Sequence, residues 1–537
     1  MRTAHVDTFA RDNLPPREQW PEFRFDLPEL QYPGRMNCAA VLLDDQVRAG
    51  NGNRIAIRAP DGECTYAQMQ AQANRMANLL VREMGLKPGN RVLLRGPNNP
   101  MMAAAWLAVF KAGGICVGTM PLLRAKELTE IIDKAQITHA LCDRRLDAEL
   151  ELARPGCPTL KQVRYWYDDA TDARIAAQPA AFDTVDTAAD DVALIAFTSG
   201  TTGKPKGTVH FHRDVVAMCD CFPRSCLKPG RDDIFIGSPP LAFTFGLGGL
   251  LCFPLRFGAS TALVERFTPE TMLESIQKFR ATILFTAPTM YRALAGLWKN
   301  YDLSSLRKCV SAGEALPDAT RQLFRQASGI EIIDGIGATE MIHIFISHTP
   351  ETVRRGATGR ALPGYQAAVL DEHGKPCAPG VVGRLAVKGP TGCRYLADER
   401  QRNYVQAGWN VTGDAYLMDE EGYFFYQART DDMIISAGYN IAGPEVEGAL
   451  LAHPAVAECG VVGAPDEERG MVVKAFVVLK PGQAPGEAMV RALQEHVKRS
   501  IAPYKYPRQV EFVAALPRTE TGKLQRYKLR NEGKRTP

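Results

Sequence analysis

Several features that define whole classes of protein are missing from this chain of 537 residues. No apolar run approaches the about 20 residues that a membrane span needs. The longest run, Met101 to Phe110, ends at Lys111 and is predicted to be a buried helix. The N-terminus carries Arg2, Asp7 and Asp12 without a long apolar core, so no secretory signal peptide is expected. The sequence therefore indicates a protein without a membrane partner.

Paired-cysteine motifs are absent as well. The thirteen cysteines are an odd number and contain no Cys-x-x-Cys pair, which favours reduced thiols in a cytoplasm over a disulfide framework. Cys219, Cys221 and Cys226 stand near His210 and His212, but neither spacing fits a zinc pattern. We interpret these cysteines as core and surface thiols and expect a cytoplasmic location.

Neither sign of charge dominates the chain. The net charge is +4 with 23% charged residues, and the basic residues are scattered except between Lys523 and Arg535. A solvated tail beside an anion-binding lysine explains that stretch better than a nucleic-acid surface. No nucleic-acid partner is expected.

The most informative stretch present is Thr198 to Gly207, which reads Thr-Ser-Gly-Thr-Thr-Gly-Lys-Pro-Lys-Gly. Its glycines let backbone N–H groups curl around phosphate oxygens, which its lysines can neutralise. It is not a Walker A loop, because only two residues separate Gly200 from Gly203 and Pro205 follows Lys204. Strand-like flanks predict a loop between two strands that binds nucleotide phosphates; an ordinary solvated turn is the alternative.

At this loop the chain resembles the adenylate-forming superfamily of acyl- and aryl-CoA synthetases, luciferases and peptide-synthetase adenylation domains. The resemblance covers nearly the whole chain, because four further motifs stand in the family's order. These are Gly337-Ala-Thr-Glu340, Thr412-Gly-Asp414, Ala428-Arg-Thr-Asp-Asp432 and Pro517-Arg-Thr-Glu-Thr-Gly-Lys523.

The expected fold class is α/β, because helical periodicity alternates with short β-rich runs and the length exceeds one hydrophobic core. Residues 1–428 are predicted to form a large N-terminal AMP-binding domain of layered α/β subdomains, with a small β-barrel-like layer from Leu362 to Val387. Residues 429–432 are the predicted hinge, and residues 433–537 the predicted small, mobile C-terminal α/β domain. That domain should contain a helix from Pro444 to Leu451 followed by two strands.

The resemblance implies an ATP site assembled from several motifs. The loop at Thr198 would hold the β- and γ-phosphates, and Lys523 would bridge the substrate carboxylate and the α-phosphate. Asp414 and Arg429 would hold the ribose, and segments near Gly313 and Asp334 would wall the adenine. The implied ATP-binding residues are Thr198, Ser199, Gly200, Thr201, Thr202, Lys206, Gly313, Glu314, Ala315, Asp334, Gly335, Thr339, Asp414, Arg429 and Lys523.

Thr339 and Glu340 follow a Gly-x-Gly turn after a predicted strand, where a hydroxyl can meet phosphate and a carboxylate can meet Mg²⁺. By resemblance, Lys523, Thr339 and Glu340 are the catalytic residues, while Glu340 and Thr201 hold the metal. Attack of a carboxylate on the α-phosphate brings two anions together, so cations must screen them. We expect ATP, Mg²⁺ and coenzyme A to be used; a helix cap is the alternative for Glu340.

The family places its hinge at the aspartate that matches Asp431, about which the small domain rotates after adenylation. Gly438 would then line the coenzyme A tunnel, where the missing side chain leaves room for a pantetheine arm. A simple turn glycine is the alternative for Gly438.

The acid should bind in an apolar, largely preformed pocket. Segments Pro239–Gly249 and Met341–Phe345 look most like the benzoate-CoA ligase branch, and Phe9–Trp20 looks like its 2-aminobenzoate members. An ortho amino group can hydrogen-bond to the substrate's own carboxylate, and Thr244 or His343 could accept its second proton; His343 as core filler is the alternative. The implied ring-binding residues are Thr244, Phe245, Ala312, Gly337, His343 and Ile344, although the branch often has tyrosine where Phe245 stands.

Taken together, these motifs predict an aromatic acid-CoA ligase that forms an aryl-adenylate, with 2-aminobenzoate the preferred acid and benzoate the next. One alternative is an adenylation enzyme that loads a carrier protein. Another is a non-catalytic nucleotide sensor, and the presence of Lys523 and Glu340 argues against that second alternative. The expected partners are small molecules, and a homodimer is compatible with the sequence.

Overall fold

The computed structural model describes residues 2–198, 205–429, 432–436, 439–466, 469–501, 503–518 and 523–533. The described strands, in chain order, are β1 (Ile55–Ala59), β2 (Gly62–Thr65), β3 (Arg91–Arg95), β4 (Ile115–Thr119), β5 (His139–Asp143), β6 (Gln162–Trp166), β7 (Val192–Thr198), β8 (Lys206–Phe211), β9 (Ile234–Gly237), β10 (Ser260–Ala262), β11 (Ile283–Thr286), β12 (Lys308–Ser311), β13 (Ile332–Gly337), β14 (Ile344–Ser347), β15 (Arg360–Ala361), β16 (Gln366–Leu370), β17 (Gly383–Lys388), β18 (Val405–Gln406), β19 (Trp409–Met418), β20 (Phe424–Arg429), β21 (Ile434–Ser436), β22 (Tyr439–Ile441), β23 (Val456–Asp466), β24 (Gly470–Leu479) and β25 (Gln509–Phe512).

Helices alternate with these strands along the chain. The α-helices are α1 (Phe9–Asp12), α2 (Tyr66–Asn78), α3 (Pro100–Lys111), α4 (Ala125–Ala135), α5 (Asp147–Ala153), α6 (Asp169–Ala177), α7 (His212–Phe222), α8 (Thr244–Leu247), α9 (Phe253–Arg256), α10 (Pro269–Phe279), α11 (Pro288–Leu297), α12 (Asp318–Ser328), α13 (Gln401–Tyr404), α14 (Gly443–Leu451), α15 (Glu487–Ser500) and α16 (Arg526–Gly533). Short 3-10 segments include Thr339–Met341, and π-helical turns include Gly248–Cys252.

Two large sheets form the scaffold of the first 361 residues. One has six strands in the order β6-β5-β3-β4-β7-β8, all parallel except for the antiparallel pair β7–β8. The other has nine strands in the order β15-β14-β13-β12-β11-β9-β10-β1-β2, and its central strands from β10 to β13 are parallel. Helices follow most parallel strands, as expected for an α/β fold, and the carboxyl ends of neighbouring parallel strands share one edge.

Two smaller sheets follow in the second part of the chain. The β-rich layer is a five-stranded antiparallel sheet with the order β16-β17-β19-β18, to which β20 adds by pairing with β19. Beyond it, β22-β21-β24-β23 and β25 form a sheet with its own hydrophobic core, which includes Val446, Val461, Val473 and Leu493. A separate core is the physical mark of an independent folding unit. The predicted α/β fold class is therefore confirmed, including the helix and the two strands expected after residue 443.

Helix α3 illustrates how local sequence sets an element. The Asn99 side chain accepts a hydrogen bond from the Met102 N–H at 2.9 Å, and Pro100 occupies the first helical position, both of which favour a helix start. All residues from Met102 to Lys111 are buried, so the predicted buried helix is confirmed. The Lys111 ammonium is paired with Asp44 at 2.5 Å, as a buried cation requires.

All thirteen cysteines lie in described residues and are free thiols, as expected. In the described ranges no three His, Cys, Asp or Glu side chains cluster as a metal site would need. No helix of the described residues is both long and apolar enough to span a membrane.

Candidate active site

Buried polar atoms without partners gather at the ends of strands from both large sheets. Thr198 Oγ1 at the end of β7, Ser311 Oγ at the end of β12 and Asp334 Oδ1 in β13 are buried and accept or donate no hydrogen bond. Ser311 and Asp334 are direct neighbours in the parallel pair β12–β13. Such atoms are uncommon in native proteins, and a bound ligand is one way to satisfy them where they lie at strand ends. This edge is therefore the candidate ligand site.

Burial raises the pKa of Asp334 to about 7, against the opposing charge of Arg321. Its carboxyl group is therefore close to half protonated near neutral pH and can donate as well as accept a hydrogen bond. The backbone around it is fixed, because the Asp334 N–H donates to His348 Nε2 at 3.1 Å and the Ser347 hydroxyl donates to the Asp334 carbonyl at 2.6 Å.

The glycine-rich loop connects two antiparallel strands, as predicted. Thr198 at the end of β7 pairs with Lys206 at the start of β8, so both ends of the loop are held by one ladder. Ser199, Gly200, Thr201 and Thr202 lie outside the described residues, and their expected phosphate contacts stay a prediction.

Lys206 faces the turn that follows β13. Its Nζ lies 3.5 Å from Glu340 Oε1 and donates to the Tyr395 hydroxyl at 2.8 Å. The Tyr395 hydroxyl in turn donates a short hydrogen bond to Glu340 Oε1. Glu340 is buried, and in the described residues its carboxylate contacts the side chains of Lys206 and Tyr395. Lys206 and Glu340 are thus brought together, and Tyr395 is a third member that the motifs did not indicate.

The Thr339–Met341 turn is held from below by a buried polar chain. His210 Nε2 donates to the Thr339 carbonyl at 2.8 Å, and His210 Nδ1 lies 3.8 Å from Asp214, which pairs with the fully buried Arg394. The turn ends at Ile342, whose φ is +64°. A β-branched residue at positive φ stores strain of about 1–3 kcal/mol, a feature that clusters at functional sites.

Tyr395 and Arg394 reach the site because their segment adds to the edge of β8. The Leu396 N–H donates to the Gly207 carbonyl and the Val209 N–H donates to the Arg394 carbonyl, both at 2.8 Å. Neither residue carried a sequence signal, since an isolated tyrosine between a glycine turn and a short helix fits any buried position. Only the non-local pairing with β8 reveals their place.

Asp414 and Arg429 stand opposite each other on β19 and β20, as the motifs required. Arg429 Nη1 lies 3.1 Å from Asp414 Oδ1, and Asp414 is buried. Burial raises the pKa of Asp414, and the Arg429 guanidinium opposes that shift. The arrangement presents a carboxylate in a partly dry site, which suits the two hydroxyls of a ribose.

Lys523 is brought from the C-terminal part of the chain to the loop after β12. Gly313 in that loop has φ +92°, and a Cβ there would lie 3.6 Å from Lys523 Cε. Desolvation lowers the pKa of Lys523, while the charges of Glu314, Asp414 and Glu340 oppose the shift. Three carboxylates of the site therefore stabilise the charged form of the Lys523 ammonium. Ala315 is exposed in the same loop.

The segment around Lys523 contacts both the C-terminal part of the chain and the loop that follows β12. Arg518 bridges to Leu524 through the backbone, and its guanidinium lies 2.6 Å from Glu458 and 3.9 Å from Glu314. Leu524 packs over Gly460, where a Cβ would lie 3.0 Å from Leu524 Cδ2. The position of Lys523 therefore depends on contacts made by its own part and by the loop after β12.

Two of the ring-binding candidates, Phe245 and His343, lie in an aromatic cluster with Phe222 and Phe253. His343 lies 4.6 Å from the Phe253 ring centroid, 5.6 Å from Phe245 and 5.9 Å from Phe222. Burial lowers the pKa of His343 to about 3, although a backbone contact with Phe245 opposes the shift, so its ring is neutral. In the described residues neither ring nitrogen makes a hydrogen bond of normal geometry. Thr244, Ala312 and Ile344 are further ring-binding candidates, all buried.

Gly337 has a tighter role than space for a ring. A Cβ at this position would lie 2.8 Å from the His343 carbonyl carbon and oxygen, closer than real contacts allow. At Gly335 it would overlap the Ile344 side chain at 2.8 Å. Both glycines are required for the close approach of β13 and β14, so a valine at position 337 would disturb the sheet before it altered ring binding.

A magnesium ion fits Glu340 by chemistry. Lys206 and Tyr395 both contact Oε1, and no side chain of the described residues bonds Oε2. Mg²⁺ is commonly held by one or two carboxylates, with waters and phosphates completing the shell. Thr201, the other expected ligand, is outside the described residues, as are the expected hinge residue Asp431 and Gly438 of the coenzyme A tunnel.

Comparison with known families decides what this arrangement belongs to. The AMP-binding enzyme family matches residues 43–395, and the AMP-binding enzyme C-terminal domain matches residues 445–523, ending at Lys523. This chain belongs to the AMP-binding enzyme family. Its predicted place in the adenylate-forming superfamily is thereby confirmed, and so is its assignment as an enzyme.

The relatives with high similarity cover nearly the full length. The benzoate–CoA ligase of Thauera aromatica is 36% identical over 519 residues, covering 94% of this chain and 97% of the relative. The crystal structure of the anthranilate CoA ligase AuaEII in complex with anthranoyl-AMP superposes with a TM-score of 0.90 at 34% identity, covering 95% of this chain and 99% of the other. A benzoate CoA ligase from Burkholderia xenovorans LB400 superposes with a TM-score of 0.83 at 32% identity, covering 92% and 100%. Within the AMP-binding enzymes, the chain is similar to the benzoate-CoA ligase branch.

Proposed function

We propose that this protein is an aromatic acid-CoA ligase, which converts ATP, an aryl carboxylate and coenzyme A to aryl-CoA, AMP and pyrophosphate. The preferred acid is 2-aminobenzoate, and benzoate is the next. The relatives named above act on benzoate or anthranilate by their names, which supports an aromatic acid. We further propose a cytoplasmic enzyme with residues 1–428 and 433–537 as its two domains and a hinge at 429–432.

The observation that carries the choice of acid is the environment of His343. A neutral imidazole, whose two nitrogens make no hydrogen bond of normal geometry in the described residues, is embedded among phenylalanine rings. Leaving a buried polar atom unsatisfied costs about 1–3 kcal/mol, and a ligand that supplies a donor satisfies the ring nitrogen that carries no proton. Benzoate offers a flat ring for this cluster, and 2-aminobenzoate adds an N–H that His343 can accept.

The residues of the chain can be given roles in two half-reactions. In the first, the substrate carboxylate attacks the α-phosphate of ATP, with Lys523 screening the two anions and pyrophosphate leaving towards Lys206. Mg²⁺ held with ATP at Glu340 would neutralise phosphate charge. Thr339 would donate to phosphate, while Asp414 and Arg429 hold the ribose. In the second, the thiol of coenzyme A displaces AMP from the aryl-adenylate.

A panel of acids tests the proposal. Pyrophosphate release and coenzyme A consumption should favour 2-aminobenzoate and benzoate over hexanoate or octanoate by at least about tenfold in kcat/KM, or about 1.4 kcal/mol. A fatty acid that matched benzoate would contradict the aromatic assignment. Pyrophosphate release without steady-state coenzyme A consumption would instead identify an enzyme that loads a carrier protein.

His343→Leu tests the amino-group contact directly. The substitution keeps an apolar side chain but removes both nitrogens, so the kcat/KM ratio of 2-aminobenzoate to benzoate should fall about 3- to 10-fold. Phe222→Leu is the matched control, because Phe222 stacks on His343 without offering a hydrogen bond to the acid. Phe222→Leu should lower kcat/KM for both acids to the same extent and leave the ratio of the two values unchanged. An unchanged ratio in His343→Leu would remove this residue from amino-group recognition.

A further inference from the structure

The Tyr395 hydroxyl lies between two groups of opposite charge. It accepts a hydrogen bond from Lys206 Nζ at 2.8 Å and donates one to Glu340 Oε1. The same ammonium also lies over the Tyr395 ring, 4.7 Å from its centroid. Tyr395 is 1% exposed, so water does not compete for these contacts.

The direction of both hydrogen bonds follows from chemistry. An ammonium only donates and a carboxylate only accepts, so the phenol must accept from Lys206 and donate to Glu340. An ordinary phenol loses its proton only near pH 10, so the hydroxyl carries its proton at neutral pH. A phenylalanine at this position would keep the ring but lose both bonds.

The hydroxyl also limits how closely Lys206 and Glu340 approach each other in their ion pair. Their closest N–O distance is 3.5 Å, whereas a charge-assisted hydrogen bond closes to about 2.7–2.9 Å. Without the hydroxyl, the two flexible side chains would be free to tighten this loose ion pair to full hydrogen-bond contact. That pair would take the ammonium from phosphate and the carboxylate from a metal ion.

The Tyr395 backbone is fixed well enough to serve this purpose. Its N–H donates to Gln401 Oε1 at 2.9 Å. The residues on either side, Arg394 and Leu396, are hydrogen-bonded to β8, the strand that starts with Lys206. The ring edge also packs against Tyr404 at 5.8 Å.

We propose that Tyr395 is a positioning residue for adenylation, which holds Lys206 and Glu340 Oε1 apart and leaves Glu340 Oε2 for the magnesium ion bound with ATP. The inference rests on the proposed function, since it assumes that Mg·ATP occupies this site. Tyr395 acts through its two neighbours and need not touch the reacting atoms.

Tyr395→Phe tests the proposal in the full-length enzyme. Aryl-adenylate formation, followed as pyrophosphate release, should fall about 10- to 100-fold in kcat/KM for ATP, and the Mg²⁺ concentration at half-maximal rate should rise at least about threefold. Thioester formation from supplied aryl-AMP and coenzyme A needs neither ATP nor the metal, and it should stay within about twofold.

Two further measurements separate positioning from general damage. Tyr291→Phe is the matched control: its fully buried hydroxyl also makes two hydrogen bonds, to the Leu284 and Val310 carbonyls, but it lies in another core. It should leave the Mg²⁺ dependence unchanged. In a double-mutant cycle, Tyr395→Phe should cost much less in a Glu340→Gln background than in the wild type, because contacting residues are not additive.

Calorimetric binding of Mg·ATP supplies a readout that is independent of turnover. Affinity should weaken in Tyr395→Phe and not in Tyr291→Phe. Equal loss of both half-reactions, an unchanged Mg²⁺ dependence, or full additivity with Glu340→Gln would overturn the proposal. If the wild type activates no acid of the panel, the proposed function fails, whereas the Mg·ATP affinity of the two tyrosine variants still decides the role of Tyr395.

Discussion

Lys206 and Lys523 are two of the lysines expected at the phosphates, and the structure holds them in different ways. Lys206 is the first residue of β8. Its ammonium contacts Tyr395, which lies beside β8, and Glu340, which follows β13. Lys523 comes from the part of the chain beyond β20 and meets Gly313 only because that part rests on the loop after β12. Lys206 is therefore fixed by the large sheets, which we call the wall of the site. Lys523 is brought to the site by the C-terminal part of the chain, and we call it the delivered lysine.

We propose that this difference lets the site serve one step and then another. A cation built into a β-ladder keeps its place whatever the small part does. A cation carried on a separately packed unit, with its own core, can be withdrawn without unfolding anything. We therefore expect substitutions of the delivered lysine to affect one half-reaction, and substitutions in the wall to affect stability as well.

The largest expected effect is that of Lys523→Ala. Aryl-adenylate formation should fall at least about 10²- to 10³-fold, because a cation near the developing charge is lost, while thioester formation from supplied aryl-AMP is largely spared. The free energy of unfolding should hardly change, since the Lys523 side chain keeps contact with solvent even though neighbouring atoms partly desolvate its ammonium. Lys206→Ala is the comparison: it removes a partner of buried Glu340 and Tyr395, so it should also lower Tm. If Lys523→Ala slowed both half-reactions equally, the assignment of Lys523 to adenylation alone would be wrong.

A smaller effect is expected at the contact that carries Lys523 to the wall. Arg518→Gln weakens the link from Glu458 to Glu314, and adenylation should slow about 3- to 10-fold with thioester formation unchanged, since partly exposed ion pairs are worth little. Single-turnover rates of each half-reaction measure this.

Arg508→Gln is the control for that comparison, because Arg508 bonds the Tyr504 carbonyl within the C-terminal part alone. It should leave both half-reactions as they are. If both variants slowed adenylation equally, the Arg518–Glu314 contact would have no special part in placing Lys523.

The smallest expected effect concerns Asp334, a fixed group of the wall. Its pKa is raised by burial from 3.8 to about 7, so the folded state holds the proton more tightly than the unfolded chain. The associated stability is complete below pH 4 and is lost as the pH rises through 7. Asp334→Asn has no charge to bury, so its Tm should fall less than the wild-type Tm between pH 5 and pH 8. The two decreases should differ by at least about 2 °C. Parallel Tm profiles would contradict the raised pKa.

Much of the fold follows from local pattern. The apolar runs of β7, β11 and β13 and the helix α3 were predictable because their residues are buried on all sides and their ends carry turn or capping residues. The ends of the glycine-rich loop were predictable for the same reason. Its phosphate contacts, the hinge at Asp431 and the tunnel at Gly438 stay predictions.

By itself, the sequence determined the family and its chemistry, because motif spacing records which residue types must meet ATP. Only the tertiary structure decided that Tyr395 joins Lys206 across a separation of 189 residues, that Arg394 and Asp214 are paired beneath Thr339, and that Gly337 serves the backbone of β14. The physical reason is that burial and pairing arise from strands and segments far apart in the chain. A side chain's partner is then set by the packing of sheets, which leaves no local pattern behind.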